Sequence, residues 1–151
     1  MSRNLTISAT SLFLALLVWY SPNGMPAAAA PAHQHHAMHS SCADACAKCA
    51  NACSSCFEHC VMQLAAGNQA HAATLRLCND CGDLCSLAAR VESRQGPMRI
   101  AVCTTCADAC DRCAEECEKF TNEPHMVECA KSCRDCAQAC RAMIEHFGHA
   151  G

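Results

Sequence analysis

Cysteine recurs along this chain at helical intervals, and those intervals constrain its fold more than any other feature. The series begins Cys42, Cys46, Cys49, Cys53, Cys56 and Cys60, alternating steps of four and three. It resumes with Cys78, Cys81 and Cys85, then Cys103, Cys106, Cys110, Cys113 and Cys117, then Cys129, Cys133, Cys136 and Cys140. A 4-3 alternation marks the inward seam of a bundled helix, where Leu and Ile normally stand. Here the seam carries 18 thiols, and aromatic residues make up only 4% of the chain. Cysteine packs as a small apolar group, but so many of them fill an interior poorly by volume. A soft metal ion is the natural agent to hold such an interior together.

Break signals divide the cysteine series into four helices. The first starts near Ser41, where Ser41 and Asp44 resemble a capping box, and stops at Gly67-Asn68. The second runs from about Gln69 to Ser93, and Gly96-Pro97 breaks the chain after it. Pro97 suits the first turn of the third helix, which reaches about Phe120, and Pro124 suits the start of the fourth, which ends near Phe147 before Gly148. No segment alternates with period two, so no strand is expected. The fold class is all-α, an up-down-up-down four-helix bundle with a cysteine-lined core over residues 41–147. A His-rich flexible leader at 33–40 and a tail at 148–151 flank it. The second helix is the exception to the pattern: beyond its three cysteines, the in-phase positions are His71, Leu75, Ala88 and Glu92.

Residues 1–32 read as a secretory signal peptide. Arg3 supplies the positive start, Leu12 to Tyr20 the apolar stretch and Ala27 to Ala32 the small residues, with cleavage expected after Ala32. No arginine pair and no cysteine occur in this leader, so export of an unfolded chain without a lipid anchor is expected. The expected location is periplasmic or secreted, with no membrane attachment after cleavage. Disulfides are the default in such compartments. The net charge of −3 and the scattered basic residues exclude nucleic acid as a partner.

The cysteine chemistry leaves three readings. In the first, sulfurs at i, i+3 and i+4 point the same way and grip ions together with neighbouring helices. Charge favours Cu(I): about one monovalent ion per thiolate leaves the core near neutral. Zn(II) prefers four sulfurs in a tetrahedron, which leaves each buried site with a double negative charge. A general thiolate sink for zinc or cadmium stays open as a second reading. In the third, the bundle is a disulfide-stapled structural or interaction protein. Against that, cysteines at i and i+4 inside one helix have poor geometry for bridging each other. An iron–sulfur reading fails because no tight C-x2-C-x2-C run is present.

The whole of residues 33–151 resembles the copper storage proteins, on four helices, inward cysteines and CxxxC steps such as Cys42/Cys46, Cys49/Cys53, Cys56/Cys60 and Cys113/Cys117. The resemblance implies four-helix bundles that hold many Cu(I) ions on core thiolates, with exported and cytosolic branches and homotetramers in both. Copper donor and acceptor proteins or chelators would be the partners. Exported members use twin-arginine leaders, and this sequence has none.

Histidine and methionine cluster at the two ends expected of an antiparallel bundle. Met38, His39, Met98, Met143 and His146 share one mouth. Met143 continues the cysteine phase of the fourth helix and His39 lies three residues before Cys42, so both are candidate ligands. The opposite end gathers Met62, His71, His125 and Met126. Met126, three residues before Cys129, is a further candidate ligand, whereas His59 falls off the seam and reads as a surface residue. A third-position histidine after cleavage would also make a square-planar Cu(II) site in the leader. No nucleophile–base arrangement or phosphate loop is present, and Asp44, Glu58, Asp108, Glu115, Glu118 and Asp135 read as solvated faces. The chain is not expected to be an enzyme. Exposed apolar residues such as Leu77, Leu87 and Ile100 are candidates for an oligomer surface.

Overall fold

The structure, a computed structural model, describes the backbone of residues 30–147 and the side chains of 37–147. Four helices follow in chain order: α1 Ala30–Ala65, α2 Ala72–Ser93, α3 Arg99–Cys117 and α4 Pro124–Phe147, with a 3-10 turn Gln69–His71 ahead of α2. No strand occurs among the described residues. Helix α1 packs on α2 and α4, and α3 packs on α2 and α4, which closes an antiparallel ring around one interior.

The α1–α2 link is a Schellman cap. Gly67 sits at φ +89, and its N–H donates to Leu64 while the N–H of Asn68 donates to Gln63. The link after α2 repeats this pattern one residue away from its glycine. Gln95 takes φ +52, its N–H donates to Glu92, and the N–H of Gly96 donates to Val91. Pro124 occupies the first position of α4, where its missing N–H has no helical partner to lose.

The start of α1 corrects the sequence reading. The helix begins at Ala30 rather than near Ser41, so residues 33–40 are helical and Ser41 and Asp44 lie inside a helix instead of capping one. The reason is local. Pro31 stands in the first turn, where proline is tolerated, and nothing between it and Cys42 breaks a helix. The signal peptide expected over 1–32 and the tail at 148–151 fall almost wholly outside the described residues.

All 18 cysteines face the interior, each 0–1% exposed, and none is in a disulfide. Small residues flank them: Ala43, Ala50, Ala88, Ala107, Ala114, Ala130 and Ala137 are buried beside the thiols. Gly82 on α2 faces α1, and a Cβ there would stand 3.5 Å from Cys53 Cβ. Short side chains on both surfaces bring the helices close enough for sulfurs from different helices to meet. Larger apolar groups, among them Phe57, Leu75, Ile100, Phe120 and Ile144, are partly buried and form an outer layer around the sulfur column. No helix among the described residues is long and apolar enough to cross a membrane.

Candidate metal centre

The interior is a column of sulfur in successive levels. At one end of the column, Cys42 and Cys46 lie 3.9 and 3.6 Å from Cys140. One level on, Cys46 and Cys106 lie 3.6 and 3.9 Å from Cys136. In the middle, Cys85 lies 3.4 Å from Cys110 and 3.6 Å from Cys106, and Cys49 lies 3.6 Å from Cys133. Further along, Cys53 lies 3.9 Å from Cys129 and Cys78 lies 3.7 Å from Cys113. Cys56 and Cys117, 4.0 Å apart, come next, and Cys56 also donates to Met126 Sδ at 3.3 Å.

These levels resolve into groups of four sulfurs within 4.8 Å of one another: Cys46, Cys106, Cys136 and Cys140; Cys49, Cys85, Cys110 and Cys136; Cys49, Cys53, Cys81 and Cys133; Cys53, Cys113, Cys129 and Cys133; Cys56, Cys78, Cys117 and Cys129. Two sulfurs about 2.3 Å from one ion stand about 3.8 Å apart at a tetrahedral angle and about 4.6 Å apart in a line. The column therefore suits direct metal ligation without rearranging the helices. Neighbouring groups also overlap, because Cys49, Cys53, Cys129, Cys133 and Cys136 each belong to two of them.

The thiols polarise one another. Hydrogen bonding with Cys110 and Cys113 holds the Cys81 thiol below the ordinary value, and that with Cys113 and Cys117 does the same for Cys129. The partners respond in the opposite sense: Cys133 is raised by its bonds to Cys110 and Cys113. Cys60, at the end of the column, is governed by burial, which with nearby Cys56 pushes its thiol up to about 12. Thiolates in such a place need cations.

The two ends differ. At the first, His39 and Met143 are buried as their phase implied. His39 stacks on Phe147 with ring centroids 4.3 Å apart, and Arg99 covers that ring from 5.3 Å. Met38 is half-buried beside this end, while His146 and Met98 are exposed. The unexpected member is Glu92. It is 0% exposed, it accepts from His39 Nδ1 at 2.7 Å, and Cys103 Sγ donates to its other oxygen at 3.4 Å. Its one sequence signal was position, seven residues after Cys85 in the cysteine phase of α2. A cleft of about 190 Å³ lined by His39, Ala43, Asp44, Glu92 and Gln95 leads to it from outside.

At the second end, Met126 is buried against Cys56, whereas Met62 is exposed. His71 is fully buried. His59, read from its phase as a surface residue, lies mostly inside, with its side chain 13% exposed and Nε2 2.7 Å from Glu123 Oε2. Glu123 belongs to a link and has no periodic signature, so nothing in the sequence singled it out.

A sulfur column of overlapping groups inside four helices is an unusual interior, and comparison with known proteins agrees with it. The family profile described as copper storage protein matches residues 34–145. The chain belongs to the copper storage protein family. An uncharacterized cysteine-rich protein of Bacillus subtilis, YhjQ, is 36% identical over 104 residues, which cover 68% of this chain and 93% of that one. Among solved structures, Cu(I)-bound copper storage protein BsCsp3 aligns at 35% identity and a TM-score of 0.61, covering 68% of this chain and 93% of its own. A cytosolic copper storage protein from Streptomyces lividans, described with five coppers, aligns at 29% identity and a TM-score of 0.69, covering 75% of this chain and 97% of its own.

The Streptomyces protein also supplies a correction. It is described as cytosolic, and this overturns the expectation of a periplasmic or secreted location. The physical reason runs the same way: a reducing compartment keeps thiols available as ligands, whereas an oxidising one pairs them.

Proposed function

We propose that this protein stores Cu(I), many ions per chain, on the thiolates of its 18 core cysteines. The single observation that carries this reading is the overlap of the four-sulfur groups. Ions that accept two or three sulfurs, and share them with neighbours, can fill a column in which Cys49, Cys53, Cys129, Cys133 and Cys136 each serve two groups. Membership of the copper storage family supports the same conclusion. All 18 cysteines are the proposed ligands, with Met126 and Met143 as thioether ligands at the column's ends and His39 as an imidazole ligand beside Glu92. The chain performs no catalysis in this reading. Its partners are the proteins or chelators that deliver and withdraw copper, and a homotetramer is the proposed assembly.

Anaerobic titration of the reduced chain with Cu(I) against a competing chelator, with thiols counted in parallel, tests the proposal. Tight uptake of a dozen or more ions while thiols disappear in step is the expected result. Saturation after a few ions would overturn it.

A second reading has one observation in its favour. Sets of four sulfurs within 4.8 Å of one another also match the ligand number of Zn(II) or Cd(II). Competition between Cu(I) and Zn(II) for the same chain separates the two, because a zinc sink would fill with a handful of ions and hold them against copper.

A further inference from the structure

We propose that His59, His71 and Glu123 form a binding site for one borderline divalent cation of the Zn(II) type, outside the sulfur column and at the end away from Glu92. Three elements meet there: His59 comes from α1, His71 from the 3-10 turn and Glu123 from the link that precedes α4. Both imidazoles present Nε2 to the same carboxylate oxygen, His59 at 2.7 Å and His71 at 3.0 Å from Glu123 Oε2. Donors each about 2.1 Å from an ion are separated by about 3.0 Å at a right angle and about 3.4 Å at a tetrahedral angle. The observed 2.7 and 3.0 Å are short of the tetrahedral value by up to about 0.7 Å, so the carboxylate and the two rings need to part slightly to admit one ion.

The donor set selects the ion. Two imidazoles and a carboxylate suit Zn(II) and its neighbours, whereas Cu(I) prefers sulfur and gains little from a carboxylate oxygen. With neutral imidazoles, a divalent ion and one carboxylate leave a single positive charge, and the Glu123 side chain, 29% exposed, gives that charge contact with solvent.

An ion pair alone explains the cluster less well. His71 is 0% exposed, and its Nδ1 is buried without a hydrogen-bond partner. Thr74 Oγ1, three residues on in α2, is also buried without one. A polar ring placed inside a protein with one of its two nitrogens unsatisfied is costly, and a single bond to a half-exposed carboxylate offsets that cost poorly. Coordination at Nε2 leaves Nδ1 as the hydrogen bond does, but it replaces that one bond with a stronger interaction for the buried ring. The rings around it are held for the purpose: His71 rests on Phe120 at 4.5 Å between centroids, and His59 stacks on His125 at 4.9 Å. An ion here ties α1, the 3-10 turn and the α3–α4 link together and closes this end of the column.

The site does not depend on what the sulfurs hold, and its test reads the histidines directly. Long-range 1H–15N NMR spectra of the full chain, loaded with Cu(I), are followed as Zn(II) is added. At one equivalent, Nε2 of His59 and of His71 move to the shifts of metal-bound imidazole, and His125 does not. Glu123→Gln, which keeps an oxygen for the two histidines but not the charge, removes the response at one equivalent while Cu(I) uptake stays at the parent value. The proposal is overturned if both Nε2 signals keep free-imidazole shifts through several equivalents, or if Glu123→Gln responds like the parent. If the sulfurs take no copper, the storage reading fails on its own, and the same spectra on the reduced, copper-free chain decide the histidine site.

Discussion

His39 Nδ1 lies 2.7 Å from Glu92 Oε2, with the glutamate side chain fully buried. The pair joins α1 to the end of α2, and Cys103 adds a second donor from α3. Breaking it from the histidine side strands a carboxylate with one weak S–H donor. His39→Ala is expected to destabilise the reduced, copper-free bundle by about 1–3 kcal/mol, the usual cost of a buried polar group left short of partners. Urea unfolding measures this. Glu92→Gln, which keeps an acceptor for the histidine, should cost less than His39→Ala, and the reverse order would show that the pair does not hold this end together.

Sulfurs in the middle of the column should matter more for copper than sulfurs at its tips. Cys49 belongs to two groups of four, and Cys60 to none of those described above. Cys49→Ser is therefore expected to reduce Cu(I) uptake by up to about two ions per chain, because two groups lose a sulfur, and Cys60→Ser by about one or none. Chelator competition reads both numbers. Equal losses would argue that the sulfurs act independently.

The cap after α2 offers a gain in stability. Gln95 holds φ +52, a conformation that side chains with a Cβ adopt at a cost. Gln95→Gly should stabilise the chain by about 0.5–1 kcal/mol. Gly67→Ala, at φ +89, should destabilise it by about 1 kcal/mol. Thermal melts of the copper-free chain, compared with the parent, test both signs.

Alkali should loosen the copper-free bundle. Burial raises the Cys60 thiol from 9.0 to about 12. A group whose value is raised by folding contributes stability that is fully present below the unfolded value and is lost as pH rises through the folded one. Stability of the reduced chain is thus expected to fall between about pH 9 and 12, and Cys60→Ala should flatten that part of the profile. Copper reverses the dependence, because each thiolate ligand must first give up its proton, so loading weakens as pH falls.

Four helices, their links at Gly67, Gly96 and Pro124, and the inward face of each were legible because a single residue type marks the seam. The cysteines needed no tertiary information: their phase alone places all 18 inside. The same logic placed His39, Met126 and Met143, which continue that phase. It failed where a residue joins the interior by another route. His59 lies off the seam yet turns inward towards Glu123, which sits in a link without periodicity. Glu92 stands in phase, but an acidic residue at the end of a helix reads equally well as solvated until His39 and Cys103 are seen facing it. The start of α1 was misjudged because a serine followed by an aspartate resembles a cap, while a run of alanine and histidine carries no signal of its own.

The overlap of the sulfur groups also bears on traffic. Where Cys49, Cys53, Cys133 and Cys136 are common to adjacent levels, an ion can pass along the axis by letting go of one sulfur as it takes the next, never fully released. Such an interior behaves as a queue rather than a set of drawers. Ions nearest an open end would leave first, and those beside Cys81 and Cys110 would exchange last, so isotopically labelled copper added to a full chain should wash in from the ends.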